Sequence, residues 1–408
     1  MSRTLKVMHV IEAMHQGGAE SLVVEHVRHA GPGVESTVCA LNRGGPALEQ
    51  ARALGASVDV LRRPGRAGVQ ARAGGLLALA RRMREERIDV VNGHNPTGAL
   101  YAVGAAALAG VRTVLRTEHS LHYPGRHSAF YPWLERLATH RTAAVVCVCE
   151  AVRESHVRRM GDLASRFVTI MNGVDELPAG EPGAARAAGR AALGLAPEDL
   201  CVLSVGSLTR QKAHHVLIDA FARVAGSRPR ARLLIAGEGP LRAALEERIA
   251  AVQAPAAAGD APAGARASGA RVRLLGARED VGALMQAADL YALSSEREGL
   301  SVTLLEAMRA GRAAIATRVG GNGEAIAEGT SGRLVPVDDV ASFAEALASL
   351  LDDRARREAM GRAARERFLE RFTAERMVAE TEALYRRALG GPVEAPLGAA
   401  GEGRHATA

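Results

Sequence analysis

A chain of 408 residues is too long for one typical hydrophobic core, so we expect two domains. Its 48% hydrophobic and 24% charged residues exclude a globally disordered protein, and no run of about 20 strongly apolar residues predicts a membrane span. The net charge of +7 favours anionic ligands or an acidic membrane surface, although the abundance of Arg also fits a coding bias in which only Lys6 and Lys212 are lysines. The N-terminus runs directly into a strand pattern without a signal peptide, so we expect a cytoplasmic protein. The four cysteines lie in apolar runs without metal-ligand spacing, and we expect them to be reduced and buried.

In the N-terminal half, short apolar runs alternate with helical patterns. Strands are predicted over residues 5–12, 36–41, 57–61, 88–92, 112–118, 144–149 and 168–171, and helices over 20–30, 47–54, 76–86, 97–109 and 131–139. The alternation predicts an α/β fold, a parallel sheet with helices on both faces. Ligands bind at the carboxyl ends of the strands in such sheets.

The C-terminal half repeats this alternation. Strands are predicted over 200–205, 231–236, 272–275, 288–295 and 313–317, and helices over 214–225, 241–252, 281–287, from 301 onward, 342–351 and 354–388. The division that follows is an N-terminal domain over 1–178, a linker over 179–198 and a second domain over 199–370. Residues 253–270 are predicted to be a disordered insertion, 371–389 a helix that crosses back to the N-terminal domain, and 390–408 a flexible tail.

The stretch from Glu298 to Glu306 places two carboxylates at the start of a predicted helix. Ser301 is a plausible N-cap, Gly299 allows close approach of a ligand, and the first free N–H groups of such a helix attract phosphate. Glu306 would lie about a turn deeper and reach another part of the same ligand. The alternative is a pair of surface glutamates that flank a buried helix.

Cations and glycines follow other predicted strands. Arg210 and Lys212 lie between a strand and a helix, where two cations could neutralise a diphosphate without a metal. Gly17 and Gly18 follow the first strand and could offer bare amides to phosphate, although a tight turn explains them equally well.

Two further loops are ambiguous. His119 follows a predicted strand and could bind a substrate hydroxyl or be structural, and Glu118 beside it is equally ambiguous. The loop over 319–324 either lines the same site or merely connects two elements. The aromatic stretch over 123–133 suits an interface with a membrane or an acceptor, or ordinary packing of the helix that follows it.

Several classes of site are missing from the sequence. It has no acidic triplet or spaced His/Cys cluster for a metal, no Walker-type motif and no Gly-x-Ser-x-Gly motif. Basic and aromatic residues do not interleave as they do in nucleic-acid-binding modules. We therefore expect no metal cofactor and no nucleic-acid partner.

Together these motifs resemble glycosyltransferase family 4 from about Val7 to Tyr385. The C-terminal matches are the segments 205–212, 234–240, 272–276, 288–290, 298–308 and 319–324, and the N-terminal ones are 9–11, 17–20, 117–119 and 171–175. The resemblance implies a retaining enzyme of GT-B fold, with two Rossmann-like domains that face each other across a cleft.

The same resemblance implies a role for each site residue. Arg210 and Lys212 would hold the donor diphosphate with help from the amides of Gly18, Leu300 and Ser301, in a donor site that also includes Gly17 and Gly299. Glu306 would bind the ribose and Arg278 would border the base. Glu298 and His119 would be catalytic and contact the transferred sugar. Two departures from the family pattern are Leu300-Ser301, where Phe and Gly or Pro are commoner, and the absence of the usual Pro after Gly311.

The expected function is transfer of a hexose from a nucleotide sugar to a hydroxyl of a glycan or a lipid-linked sugar, in cell-surface or exopolysaccharide synthesis. UDP-hexose is the favoured donor and GDP-mannose the other. A GT-B epimerase or phosphorylase and a non-catalytic nucleotide-sugar-binding subunit are the alternatives. The Arg-rich region from Arg62 to Arg87 and the stretch near Trp133 would suit peripheral contact with anionic lipid at the inner face of the membrane.

Overall fold

Two compact units make up the computed structural model, which describes residues 3–15, 17–61, 69–121, 131–176, 182–253, 271–391 and 393. Unit 1 comprises Met1–Met171 and Met377–Ala408, and unit 2 comprises Asn172–Arg376. The predicted insertion and tail lie outside the described residues, apart from Gln253 and from Gly390, Gly391 and Val393. So do residues 62–68 of the Arg-rich region and 122–130 of the aromatic stretch.

Unit 1 is built on a seven-stranded parallel sheet of order β3-β2-β1-β4-β5-β6-β7. Its strands are β1 Leu5–Ala13, β2 Val34–Arg43, β3 Ser57–Val60, β4 Val90–His94, β5 Thr113–Glu118, β6 Ala144–Cys147 and β7 Phe167–Thr169. Its helices are α1 Gly18–Arg28, α2 Pro46–Ala53, α3 Val69–Glu85, α4 Asn95–Ala109, α5 Tyr131–Arg141 and α6 Glu150–Val157, with a 3-10 turn at Gly161–Arg166.

Successive side chains along the strands of unit 1 pack alternately into two hydrophobic cores, one on each face of the sheet. In β2, Cys39 and Leu41 pack in one cluster with residues of α3 and α4, whereas Val38 and Ala40 pack in the other with α1 and α2. Successive strand residues point to opposite faces, so a strand covered by helices on both sides is apolar throughout. This explains why the strands read as continuous apolar runs.

Unit 2 has a six-stranded parallel sheet of order β10-β9-β8-β11-β12-β13. Its strands are β8 Leu200–Val205, β9 Ala231–Ala236, β10 Val272–Gly276, β11 Leu290–Leu293, β12 Ala313–Thr317 and β13 Gly332–Val335. Its helices are α7 Pro182–Ala192, α8 His214–Ala225, α9 Arg242–Gln253, α10 Val281–Ala287, α11 Val302–Arg309, α12 Asn322–Ala325, α13 Val340–Asp352 and α14 Arg354–Arg371, with a 3-10 turn at Arg210–Lys212.

The segment predicted as a linker, 179–198, belongs to unit 2, which begins at Asn172 rather than after residue 178. Its helix α7 is fixed by two arginines: Arg186 and Arg190 donate to the two carboxylate oxygens of Asp289 at 2.6 and 3.1 Å. Arg190 also donates to the backbone oxygen of Asp199 at 2.6 Å. These charge-assisted, half-buried contacts make this helix a structural part of the second unit.

The helical stretch predicted over 354–388 is two helices, α14 and α15, the latter spanning Ala374–Ala388. The break lies where Phe372 and Ala374 exchange backbone hydrogen bonds with Val174, at 3.0 Å each. From Met377 onward the chain belongs to unit 1. There the Tyr385 hydroxyl accepts a hydrogen bond from Asn92 Nδ2 at 2.9 Å, and Glu382 accepts from the Gly31 amide at 2.7 Å.

The sequence prediction missed the short elements α6, α12 and β13. The four cysteines are free and buried, as predicted. Among the described helices, none combines the length and apolarity that a bilayer crossing needs.

Candidate donor site

In unit 2 the candidate site lies where the sheet order reverses, between β8 and β11. Parallel sheets bind ligands outside the carboxyl ends of their strands at such a switch point. The loop after β8 carries Arg210 and Lys212, and the loop after β11 carries Glu298.

Lys212 and Glu298 form an ion pair across this switch point. Lys212 Nζ lies 2.6 Å from Glu298 Oε1, and the two side chains are only 18% and 8% exposed. Ser295 Oγ donates to the same carboxylate oxygen at 2.6 Å. The pair fixes the orientation of the Glu298 carboxylate, while the ammonium retains two further N–H donors for a ligand.

The two loops that carry this pair are tied together through their backbones. The Glu296 amide donates to the Gln211 carbonyl at 2.8 Å, and Gln211 Nε2 donates to the Arg297 carbonyl at 2.9 Å. Ala213, which follows Lys212, adopts a left-handed backbone with φ of 46°, and the Ser294 hydroxyl lies 3.0 Å from its carbonyl oxygen. A non-glycine residue in that conformation carries strain, which the surrounding contacts must hold.

The start of α11 supplies free amides beside Glu298. Ser301 is its N-cap, as predicted, and its Oγ accepts from the Leu304 amide at 3.4 Å. Asn172 Nδ2 holds the Leu300 carbonyl at 2.9 Å. The Leu300 and Ser301 amides donate no hydrogen bond within the described part of the chain, so they remain available to an anion.

Glu306 lies further along α11 and is half-buried. Burial raises the pKa of its carboxyl group, and nearby Arg309 opposes that effect. Among the described residues no hydrogen bond or ion pair engages its side chain. A desolvated carboxyl group with free oxygens is suited to accept hydrogen bonds from ligand hydroxyls.

The loop over 319–324, which the sequence left ambiguous, packs directly on the site backbone. Gly320 has a left-handed φ of 49°, and a Cβ there would lie 2.1 Å from the carbonyl oxygen of Glu298. Next to it, the Gly321 amide donates to the Gly299 carbonyl at 2.6 Å. The loop therefore helps to position Glu298 and Gly299, and only glycine fits at 320.

The other two predicted donor-binding cations are placed differently. The Arg210 side chain is 88% exposed, with Nε 3.6 Å from Glu296. Arg278 follows β10, where its guanidinium donates to both carboxylate oxygens of Asp280 at 2.7 and 2.6 Å. Arg210 is thus free to turn toward a ligand, whereas Arg278 would have to share its guanidinium with Asp280.

In unit 1 the sheet order reverses between β1 and β4, and this switch point carries a column of histidines. His9 Nδ1 lies 3.0 Å from His94 Nε2, and His94 Nδ1 lies 3.0 Å from His119 Nε2. His26 of α1 stacks on His9 with ring centroids 5.3 Å apart. Burial lowers the pKa of His9 and of His119 to about 4 and also lowers that of His94 well below its ordinary value, so the rings are neutral near pH 7.

Sequence reasoning singled out only His119 of this column. The others come together only through the pairing of β1 with β4, in which His9 lies opposite Asn92. The ambiguous Glu118 is buried and accepts a hydrogen bond from Arg116 at 2.5 Å, which makes it a structural residue of unit 1.

Gly17 and Gly18 mark the exposed start of α1 after β1. Gly17 has φ of −175°, an extended backbone that any residue can adopt, so a tight turn does not account for glycine there. The open N-terminus of α1 remains consistent with the predicted contact to phosphate.

Comparisons with known proteins agree with this architecture. The family model described as Glycosyltransferase Family 4 matches residues 16–176, and that described as Glycosyl transferases group 1 matches residues 199–353. Among solved structures, HepE of Anabaena in complex with UDP-glucose superimposes with a TM-score of 0.77 at 20% identity, over 93% of this chain and 100% of that one. This likeness supports the GT-B fold with two Rossmann-like domains.

Two curated relatives are matched over more than two thirds of their own length. An Escherichia coli UDP-Gal:α-D-GlcNAc-diphosphoundecaprenol α-1,3-galactosyltransferase is 26% identical over 68% of this chain and 70% of its own. An α-maltose-1-phosphate synthase of Mycolicibacterium smegmatis is 31% identical over 74% of this chain and 80% of its own. Each unit has a sheet with a switch point, family models match both halves of the chain, and the relatives match over most of it. The chain is therefore a glycosyltransferase that belongs to glycosyltransferase family 4.

Proposed function

We propose that the protein is a retaining glycosyltransferase that moves a hexose from a UDP-sugar to a hydroxyl of a glycan or lipid-linked sugar, in cell-surface or exopolysaccharide synthesis. The observation that carries the proposal is the Lys212–Glu298 pair beside the Ser301-capped helix, at the switch point of unit 2. A UDP donor is supported by the UDP-glucose complex of HepE and by the UDP-Gal in the name of the Escherichia coli relative, and a lipid-linked acceptor by the diphosphoundecaprenol in that name. GDP-mannose is the second donor to test.

The difficult step is departure of the nucleoside diphosphate while positive charge develops at the anomeric carbon. In the proposed mechanism the leaving diphosphate receives hydrogen bonds from the free donors of Lys212, from Arg210 and from the Leu300 and Ser301 amides. Gly17 and Gly18 would offer amides from α1. Fixed donors aimed at developing charge lower the barrier electrostatically. We propose that these groups replace a divalent metal, so that transfer does not require one.

The carboxyl groups of Glu298 and Glu306 are proposed to bind different parts of the rest of the donor. Glu298 is oriented by its contact with Lys212 and is proposed to face the sugar, where a carboxylate favours the oxocarbenium-like centre. Glu306 is proposed to accept from the ribose hydroxyls, because its oxygens have no partner among the described residues. Arg278 is proposed to border the base, and His119 to bind a sugar hydroxyl.

The direct test measures release of the nucleoside diphosphate from UDP-glucose, UDP-galactose, UDP-N-acetylglucosamine and GDP-mannose, with and without candidate acceptors and EDTA. We expect turnover with a UDP-sugar, unchanged by EDTA, and a product whose anomeric configuration by NMR matches the donor. Arg210→Ala should slow turnover without changing stability, because the side chain is exposed. Conversion of the donor to an epimer without acceptor would replace the transferase proposal with an isomerase, and loss of turnover in EDTA would overturn metal independence.

A further part of the proposal concerns the membrane. Helix α5 exposes three large apolar side chains, Trp133, Leu134 and Leu137, which are 64%, 38% and 44% exposed. Amphipathic rings and apolar side chains on one helix suit the interface of a bilayer, and the net charge of +7 would favour anionic lipid at its inner face.

Co-sedimentation with liposomes at low salt tests this contact. We expect binding to vesicles with anionic lipid, and weaker binding for Trp133→Ser with Leu137→Ser. The matched control is Leu108→Ser, which removes a side chain that is 49% exposed on α4. Equal binding of both variants would remove α5 from the proposal, and no binding by the natural chain would end it.

A further inference from the structure

Three histidine rings of unit 1 form a hydrogen-bonded chain that ends at the proposed sugar-binding residue. The two links join Nδ1 of His9 to Nε2 of His94, and Nδ1 of His94 to Nε2 of His119, at 3.0 Å each. His9 is 2% exposed and His94 is fully buried, whereas His119 is half-buried, so of the three only His119 is placed to contact a substrate.

The links couple the protonation of the three rings. A neutral imidazole has one N–H donor and one acceptor nitrogen, and each link needs one of each. If His9 donates from Nδ1, His94 accepts at Nε2 and therefore carries its own proton on Nδ1. His94 then donates from Nδ1 to His119, which accepts at Nε2 and carries its proton on Nδ1. If the direction is reversed, all three rings carry the proton on Nε2. In both cases the three rings share one tautomer.

The coupling determines what His119 can offer at its other nitrogen. His119 Nδ1 is buried and has no hydrogen-bond partner among the described residues. It is a donor when the chain carries its protons on Nδ1 and an acceptor when it carries them on Nε2. The role that His119 presents to a ligand is therefore tied to the tautomers of His94 and His9.

We propose that His9 and His94 are positioning residues that hold His119 in a single tautomer, so that its Nδ1 presents one fixed hydrogen-bonding role to a hydroxyl of the transferred sugar. The chemical class recognised is thus a neutral hydroxyl rather than an anion, because the column is uncharged. This inference rests on the proposed function only for the identity of the ligand. The coupling of the tautomers is a property of the free protein.

The first test is nitrogen-15 NMR of the histidine rings in the free full-length protein, with each ring assigned by the loss of its signals in a single variant. We expect His9, His94 and His119 to show the same protonated nitrogen. Different tautomers among the three, or rapid averaging in His119, would overturn the proposal.

Variants at the remote end separate coupling from packing. His9→Phe keeps an aromatic ring but removes the link, so His119 should lose its single tautomer. His26→Phe is the matched control, because His26 stacks on His9 but takes no part in the two links. His9→Asn places polar atoms near the former Nδ1 and should restore the coupling in part. An unchanged His119 tautomer in His9→Phe, or an equal change in His26→Phe, would refute it.

Turnover provides the second readout. In His9→Phe we expect kcat/KM for the UDP-sugar to fall about three- to tenfold, the size of one substrate hydrogen bond, with the affinity for UDP unchanged. Full activity together with an uncoupled His119 would refute the role in positioning. If the natural protein turns over none of the nucleotide sugars, the proposed function fails, but the NMR result still decides whether the chain is coupled.

Discussion

The two switch points of this protein occupy the same place in two similar sheets and carry opposite chemistry. Between β1 and β4, unit 1 places neutral histidines whose charged forms are suppressed by burial. Between β8 and β11, unit 2 places an ammonium and a carboxylate that contact each other at 2.6 Å. The doubly wound sheet thus determines where a ligand can bind, and the side chains on its loops determine which part of a ligand it binds.

The difference follows from the two ways in which a protein can bury an ionisable group. A lone buried group gives up its charge, whereas a paired group keeps it at the cost of desolvating both partners. A neutral column offers directed hydrogen bonds to hydroxyls, and an ion pair with spare donors offers charge to a diphosphate. The predictions below test each half of this comparison.

Removing the cation of unit 2 should have the largest effect. In Lys212→Ala, Glu298 is left buried without its partner, and we expect loss of about two to three powers of ten in turnover and about 3 kcal/mol in stability. Urea unfolding and diphosphate release measure the two effects. The control is Lys6→Ala, which breaks an exposed pair with Glu35 at 3.5 Å and should change stability by less than about 1 kcal/mol.

A double variant separates stability from chemistry. Adding Glu298→Gln to Lys212→Ala removes the stranded charge, so stability should recover in part while turnover stays low. If Lys212→Ala alone retains full turnover at saturating donor, the charged half of the comparison is wrong.

Acidic pH should destabilise unit 1, which carries the neutral histidines. The pKa of His9 and of His119 is lowered to about 4, below the ordinary 6.5, so between these values the unfolded chain binds protons that the folded unit does not. Stability is therefore complete above about pH 6.5 and falls toward pH 4, by about 1.4 kcal/mol per pH unit for each ring. Hydrogen exchange of the β1 amides at several pH values measures this slope, which should be shallower in His9→Phe. Equal slopes in the two proteins would mean that His9 is not held neutral.

The smallest effect is expected from the backbone beside the ion pair. In Gly320→Ala the added Cβ must displace the Glu298 carbonyl, which it would otherwise approach to 2.1 Å, and we expect a cost of about 1 to 3 kcal/mol. Gly323→Ala is the matched control, because nothing lies within 4 Å of a Cβ there. Urea midpoints compare the two variants. Equal stability of both would show that the loop does not hold Glu298.

Much of this arrangement could be predicted from local sequence. Apolar runs and helical periodicity placed most strands and helices, and the Ser301 cap followed from residue type and position. The elements that escaped prediction are short: β13 and α12 have four residues each, too few to show a period, and α6 has eight. The break before α15 depends on backbone contacts with Val174, which lies far away in sequence.

Which side chains contact each other was harder to predict than which residues belong to the candidate site. Lys212 and Glu298 were both identified as donor-site residues, but their ion pair was not predicted, because nothing local shows that β8 and β11 are neighbours. His9 and His94 were overlooked because each sits alone in an apolar run, and only the pairing of β1 with β4 brings them together. Such contacts depend on strand order, which local patterns leave open.

Because most of helix α15 belongs to unit 1, the two units become complete at different times during synthesis. Unit 2 is one continuous segment, Asn172–Arg376, whereas unit 1 includes Met377–Ala408, with Tyr385 bonded to Asn92 of its central sheet. A ribosome therefore delivers every residue of unit 2 before it delivers the segment that completes unit 1. The half of the enzyme that is made first therefore cannot complete its fold before helix α15 is made, so a nonsense mutation just before this helix would damage the N-terminal unit while sparing the other.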